Sequence, residues 1–195
     1  MGKLIYLMGK SSSGKDTVYR ELLRDDELKL KKVVLYTTRP IREGEVDGVQ
    51  YHFVDEEVFN DFVTENRVIE DRVYNTYHGL WRYFTVDDGS IDIDKYDYLI
   101  IGTLESYART AEYYGKENVL PIYIEVDDGI RLQRALDREK KQENPKYQEM
   151  CRRFLADAED FSDEKMNEAG ITKRFNNEDL QGCLDRIKKY LSENM

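Results

Sequence analysis

Residues 9–17 read Gly-Lys-Ser-Ser-Ser-Gly-Lys-Asp-Thr. Gly9, Gly14 and Lys15 fit the spacing G-x-x-x-x-G-K-[ST], in which a glycine-rich turn aims backbone N–H groups at phosphate oxygens. The helix that follows adds the positive end of its dipole, and Lys15 adds a point charge for terminal phosphates. Ser11, Ser12 and Ser13 lie inside that loop and are candidate ATP-binding residues with it. One position departs from the pattern. A hydroxyl is expected after the lysine; Asp16 stands there, and the hydroxyl of Thr17 comes one residue later. The dipole alone favours a carboxylate in a first helical turn, by about 0.3–1 kcal/mol. Magnesium prefers oxygen ligands and keeps several waters, so Asp16 and Thr17 are also its candidate holders. A second group of residues lies further on. Arg39 and Arg42 stand three apart, and planar guanidinium groups clamp phosphate well; Tyr51 can add a hydroxyl.

These residues need a scaffold. The apolar run 3–8 ends at Gly9 and predicts a buried strand; Val18, Leu22 and Leu23 then recur at helical spacing. Further strands are predicted at 31–38, 97–103 and 119–126, with a weaker one at 171–175. Helical patterns cover roughly 104–114 and 128–140, and an amphipathic helix closes the chain at 178–193. Alternating strands and helices imply an α/β fold, a parallel sheet with helices on both faces. The stretch 39–90 breaks the alternation with glycine turns and short strands near 51–54 and 68–74, which predicts an inserted, largely antiparallel subdomain. Residues 138–149 are charged and carry Pro145 between two helical runs, as a solvated loop or a mobile lid would.

The chain has 195 residues and a formal net charge of −10, which argues against a basic nucleic-acid surface but leaves room for a local phosphate pocket. Cys151 and Cys183 show no metal spacing and no disulfide framework, as in a reducing compartment. The N-terminal run is too short for a signal peptide, and no apolar run approaches a membrane span. The expectation is a cytoplasmic protein with no membrane and no nucleic-acid partner.

The loop, followed by Thr-Thr-Arg-Pro-Ile-Arg-Glu-Gly-Glu-Val-Asp-Gly-Val-Gln-Tyr-His-Phe at 37–53, resembles guanylate kinase. Thr37, Thr38, Arg39, Arg42, Gly44, Glu45, Asp47, Gly48, Tyr51 and Phe53 all fit that family's second motif. The resemblance implies a single domain over 1–195: a P-loop kinase core (1–36, 91–137, 154–195), an acceptor-binding insert (37–90) and a lid (138–153). It implies transfer of phosphate from ATP, with magnesium, to a nucleoside monophosphate, GMP. Arg39, Arg42 and Tyr51 would then hold the acceptor phosphate. Glu70 would read guanine, a carboxylate accepting from the ring N–H and the exocyclic amine together. Tyr77 and Thr103 fall at further acceptor positions. Arg138 and Arg153 match the lid arginines, with Arg152 an adjacent alternative; Arg134 and Asn176 fall on the ATP side.

The family pattern is broken at three places. Leu35 replaces a serine, His78-Gly79-Leu80 replaces Tyr-Gly-Ser, and Ile101-Gly102-Thr103 replaces an acidic pair. Asp16 is the carboxylate left to serve an ion. Two other readings stay open. The Gly-Lys-Asp loop and residues 100–110 also resemble ribose bisphosphate kinase, against which Glu45, Tyr51 and Glu70 stand. Guanylate-kinase-like binding modules without catalysis tend to lose the loop lysine and lid arginines, and this chain keeps them.

Overall fold

The structure is a computed structural model and describes residues 2–76 and 79–195. Strand β1 (Leu4–Gly9) runs through the glycine loop into helix α1 (Lys15–Leu23). Then come β2 (Lys31–Lys32), β3 (Tyr36–Thr37), β4 (His52–Phe53), α2 (Glu56–Thr64), β5 (Val68–Thr76) and β6 (Gly79–Val86). The chain returns through β7 (Tyr98–Ile101), α3 (Leu104–Tyr114), β8 (Val119–Glu125) and α4 (Asp128–Glu139). It ends with α5 (Tyr147–Asp160), α6 (Asp163–Glu168), β9 (Arg174–Asn176) and α7 (Leu180–Asn194).

The first sheet has five strands in the order β2-β7-β1-β8-β9, paired in parallel throughout. Every residue of the central strand β1 is buried, as expected where helices cover both faces. Leu4, Tyr6 and Met8 face one core with Tyr107 and Phe161; Ile5 and Leu7 face the other with Val18, Leu22 and Ile187. The period of two along a strand divides the side chains this way. The glycine loop therefore leaves from the middle of the sheet, at the carboxyl ends of its strands, where open α/β sheets bind ligands.

The second sheet has four strands in the order β4-β3-β6-β5, with β3/β6 and β5/β6 antiparallel and β3/β4 parallel. Its own small core is Phe59, Phe84 and Val86. The single strand expected at 31–38 is two strands in two sheets. Val33 N–H still bonds Leu99 in the first sheet, while Leu35 O already accepts from His52 N–H in the second. Leu35, where the resemblance calls for a serine, is buried in the main core and serves packing. Two elements of the insert were not foreseen, α2 and β6. Helix α2 had a readable start: Asp55 accepts from Val58 N–H at 2.9 Å as its N-cap. Among the described residues no helix is long and apolar enough to cross a membrane.

Candidate active site

The glycine loop is held from outside. Asn177 Nδ2 donates to Ser13 O at 2.8 Å, and Arg131 Nη1 donates to Ser11 O at 2.9 Å. Ser11 N–H donates to Asp157 Oδ2 at 2.7 Å. Gly14 caps α1 with φ 84°, in the left-handed region, and a Cβ there would collide with Asn177 Nδ2. The amides of Lys15 and Asp16 belong to the first helical turn, whose N–H groups have no partner within the helix. The Ser12 and Ser13 hydroxyls are buried without a hydrogen-bond partner. Buried polar atoms are nearly always paired, so these two mark a place for a polar ligand. Lys15 is half-buried, Asp16 is exposed, and Thr17 Oγ1 accepts from Arg20 Nη2 at 3.4 Å. The described residues contain no group of three or more His, Cys, Asp or Glu side chains arranged for a metal.

Three of the bracing residues were missed from sequence: Arg131, Asp157 and Asn177. Arg131 is 1% exposed. It donates from Nε and Nη2 to Asp128 Oδ1 at 2.9 and 2.7 Å, and its Nη1 lies 3.5 Å from Asp157. Burial acts against the Asp128 charge, yet Arg131 and Lys10 hold its carboxyl below the usual range. Arg134, one turn along α4, donates to Asn177 O at 3.2 Å. Asn177 is buried and touches the loop, whereas Asn176 is exposed and bonds Glu178. Asn176 lines a cavity of about 600 Å³ with Lys10, Asp128, Arg131 and Arg174.

Of residues 138–153, expected as a lid, 140–146 form the turn between α4 and α5. The buried Glu139 closes it, accepting from Gln142 Nε2 at 3.1 Å and Lys146 N–H at 2.9 Å. Arg138 is exposed. Arg152 and Arg153 are also exposed, and both donate to Glu149; their hydrogen bonds hold its carboxyl at about 2. Arg131 and Asp157 join this region to the glycine loop directly, Lys10 of the loop faces Asp128, and Arg134 reaches the loop through Asn177.

On the insert, Arg39 is 4% exposed and bonds Glu45 through both terminal nitrogens, at 2.7 and 2.6 Å. That fork and the Arg42 N–H hold Glu45 at about 2. Arg39 Nε is buried without a partner, and its guanidinium lies 5.3 Å from the Tyr51 ring. Arg42 is exposed, 5.8 Å from the Trp81 ring. Burial pushes the Tyr51 phenol up, with Arg39 and Arg72 opposing. Glu70 is 4% exposed and bound by Arg72 and Thr85. Burial raises its carboxyl pKa, with Arg72 opposing. Thr103 caps α3, its side chain and that of Ser106 forming a reciprocal box, so its hydroxyl is committed to the helix start. Tyr77 and His78 lie outside the described residues. At Gly102, where the acidic pair is missing, a Cβ would collide with the Tyr6 hydroxyl, which donates to Ser106 Oγ at 2.7 Å. The Tyr6 phenol fills the space a carboxylate there would need.

A central parallel strand opening through a braced glycine loop, beside an inserted second sheet, defines an α/β fold with a second, mixed sheet. The crystal structure of guanylate kinase from Anaplasma phagocytophilum shares it, with a TM-score of 0.66, 22% identity, and coverage of 100% of this chain and 87% of that one. The family model "Guanylate kinase" matches residues 1–82. Guanylate kinase of Mesoplasma florum is 37% identical over 125 residues, 63% of this chain and 40% of that protein. Guanylate kinase of Zymomonas mobilis subsp. mobilis is 49% identical over 70 residues, 35% of this chain and 32% of that one. Guanylate kinase of Mycoplasma mobile is 36% identical over 120 residues, 61% of this chain and 58% of that one. The chain thus spans 32% to 58% of the length of these relatives. The chain is similar to guanylate kinases over part of its length, and over its first 82 residues by the family model.

Proposed function

We propose that the protein transfers the terminal phosphoryl group of ATP to a nucleoside monophosphate, with GMP the best acceptor. One observation carries this reading. A glycine loop with Lys15 and two orphan hydroxyls is joined, in one chain, to a sheet that holds a buried carboxylate, Glu70. The loop amides and Gly9, Ser11, Ser12, Ser13 and Gly14 cradle the ATP phosphates; Arg134 and Asn176 serve the nucleoside side. Arg39, through its unpartnered Nε, clamps the acceptor phosphate with Arg42 and Tyr51. Phosphoryl transfer asks mainly for positioning and charge stabilisation, which Lys15 and the lid arginines Arg138 and Arg153 supply. For those arginines to act, Arg153 leaves Glu149 as the lid closes. Thr103 stands at the acceptor site as a helix cap that shapes it. Core, insert 37–90 and lid 138–153 act as one enzyme domain over 1–195, placed in the cytoplasm.

The donor set fits magnesium. The ion takes one or two carboxylates with substrate phosphates and water, and exposed Asp16 with the Thr17 hydroxyl offers that much. Bound there, the ion neutralises phosphate charge. Asp16→Asn is expected to raise the magnesium concentration for half-maximal rate, by about tenfold given the loss of one of few ligands. Metal-free ATP should bind as well or better. A magnesium titration of both proteins checks this; superimposed curves would leave Asp16 as a helix-dipole residue only.

The reading itself is tested by offering GMP, dGMP, AMP and ribose 1,5-bisphosphate with ATP and magnesium. GMP is expected to give the highest kcat/KM. Turnover of ribose 1,5-bisphosphate with none of GMP overturns the acceptor assignment, and failure to retain ATP–magnesium overturns the kinase.

A further inference from the structure

Glu70 and Arg72 stand two apart on β5 and so share one face of the strand. With Val68, Ser106 and Arg109 they line a cavity of about 290 Å³ between β5 and α3, near the lower end of the size of small-ligand pockets. Directly across the ladder from Glu70 is Thr85, and the register shifts between Val68 and Glu70. Such an irregularity re-aims side chains. The hydrogen bonds at Glu70 can be counted. Oε1 accepts from Thr85 Oγ1 at 2.6 Å and from Arg72 Nη2 at 3.4 Å; Oε2 accepts from Arg72 Nε at 3.1 Å. An ionised carboxylate offers about four acceptor positions. Three are filled, and the remaining one is on Oε2. Arg72 spends its Nε/Nη2 edge on Glu70, so the fixed fork of the guanidinium turns its Nη1 edge away from Glu70. Arg72 is also within electrostatic reach of Tyr51, which links this cavity to the acceptor-phosphate clamp.

We propose that Arg72 is a base-reading residue. Arg72 donates to an exocyclic carbonyl of the acceptor, while the last acceptor position of Glu70 takes the neighbouring ring N–H. This rests on the nucleoside monophosphate kinase reading above and narrows its substrate class. The pair matches the C6=O/N1–H edge of a 6-oxopurine. Adenine presents the opposite polarity, an amino group beside a bare ring nitrogen. Because Oε1 is already filled, the 2-amino group of guanine finds no strong acceptor at Glu70. The site therefore selects 6-oxopurines as a class, so IMP is an acceptor alongside GMP.

Three acceptors test this: GMP, IMP, and 2-aminopurine ribonucleoside monophosphate, which lacks the 6-oxo group. For the wild type, kcat/KM for IMP is expected within about tenfold of GMP, and the 2-aminopurine analogue at least about 100-fold lower, because it leaves a buried donor unpaired. Arg72→Lys keeps a cation against Glu70 but has no second edge to offer. It should lower kcat/KM for GMP and IMP by about 10–100-fold and leave the analogue unchanged, so that the gap closes. Equal losses for all three acceptors would make Arg72 a structural partner of Glu70 and overturn the proposal. Equal wild-type rates for GMP and the analogue would overturn it as well, without any variant; that ratio decides alone should Arg72→Lys not fold. IMP more than about 100-fold below GMP would show that the 2-amino group is read, against the count at Glu70. A wild type that phosphorylates no nucleoside monophosphate sinks the underlying reading. A failure confined to the pattern among the three sinks only the base assignment.

Discussion

Lys15→Met is expected to lower kcat by about 10³-fold, the cost of removing one charge-stabilising group aimed at a reacting centre. The far-UV spectrum and the melting temperature should stay at wild-type values. Lys15 is the first residue of α1 and half-buried. Methionine is as good a helix former and keeps the length of the stem, so the fold loses little. What is lost is the cation, where charge spreads over the transferring phosphoryl group. Lys10→Met is the control. It removes an equal charge from the same loop, but Lys10 faces Asp128 at 3.6 Å, and a partly exposed pair of that kind contributes little. Its rate should fall by no more than about threefold, since only a screened charge is removed. A folded Lys15→Met enzyme with near-normal turnover would take the loop out of the mechanism.

How far the sequence announced these parts depended on how local their physics is. Gly9, Gly14 and Lys15 were legible because a glycine loop between strand and helix is set by neighbours in the chain. β1, β7 and β8 were legible because buried parallel strands read as apolar runs. The motif from Thr37 to Phe53 marked the insert, yet its strand boundaries were blurred. Val33 and Leu35 continue one apolar run while the chain changes sheets between them. α2 was hidden behind polar residues, although Asp55 before Val58, Phe59 and Phe62 carried its signal. The braces of the loop were not legible. Arg131 and Asp157 meet Ser11 across 120 and 146 residues of sequence, and nothing in either local stretch points to the partner. Asn177 went unnoticed for the same reason: which of two adjacent side chains turns inward is decided by β9 packing beside β8. Glu70 was legible as a carboxylate, but its pairing with Arg72 and Thr85 depends on the register of β5 against β6. The gap at Gly102 was visible in sequence; its cause, the Tyr6 hydroxyl, came only with the fold.

The same distance across the chain makes Arg131 the place where stability and function meet. Arg131→Met is expected to destabilise the protein by about 3–5 kcal/mol, as breaking a buried pair does when one partner is left behind. For a chain of 195 residues that lowers Tm by roughly 6–15 °C. The methionine fills the volume against the Phe154 ring, which lies 4.7 Å from the guanidinium. It cannot donate to Ser11 O, and it leaves Asp157, with a side chain only 16% exposed, without its cation. The loop then loses one of its two outside donors, so KM for ATP should rise while the acceptor KM stays near the wild-type value. Asp157→Asn separates charge from shape. The amide oxygen still accepts from Ser11 N–H, so the loss should be smaller, about 1–2 kcal/mol. In the double variant neither unpaired charge remains, and the two losses should fall short of their sum by about 1 kcal/mol or more. Thermal melts of the four proteins measure that coupling. Additive losses would mean that Arg131 and Asp157 hold the loop independently; a loss under about 0.5 kcal/mol for Arg131→Met would class it with surface arginines and remove it from the brace.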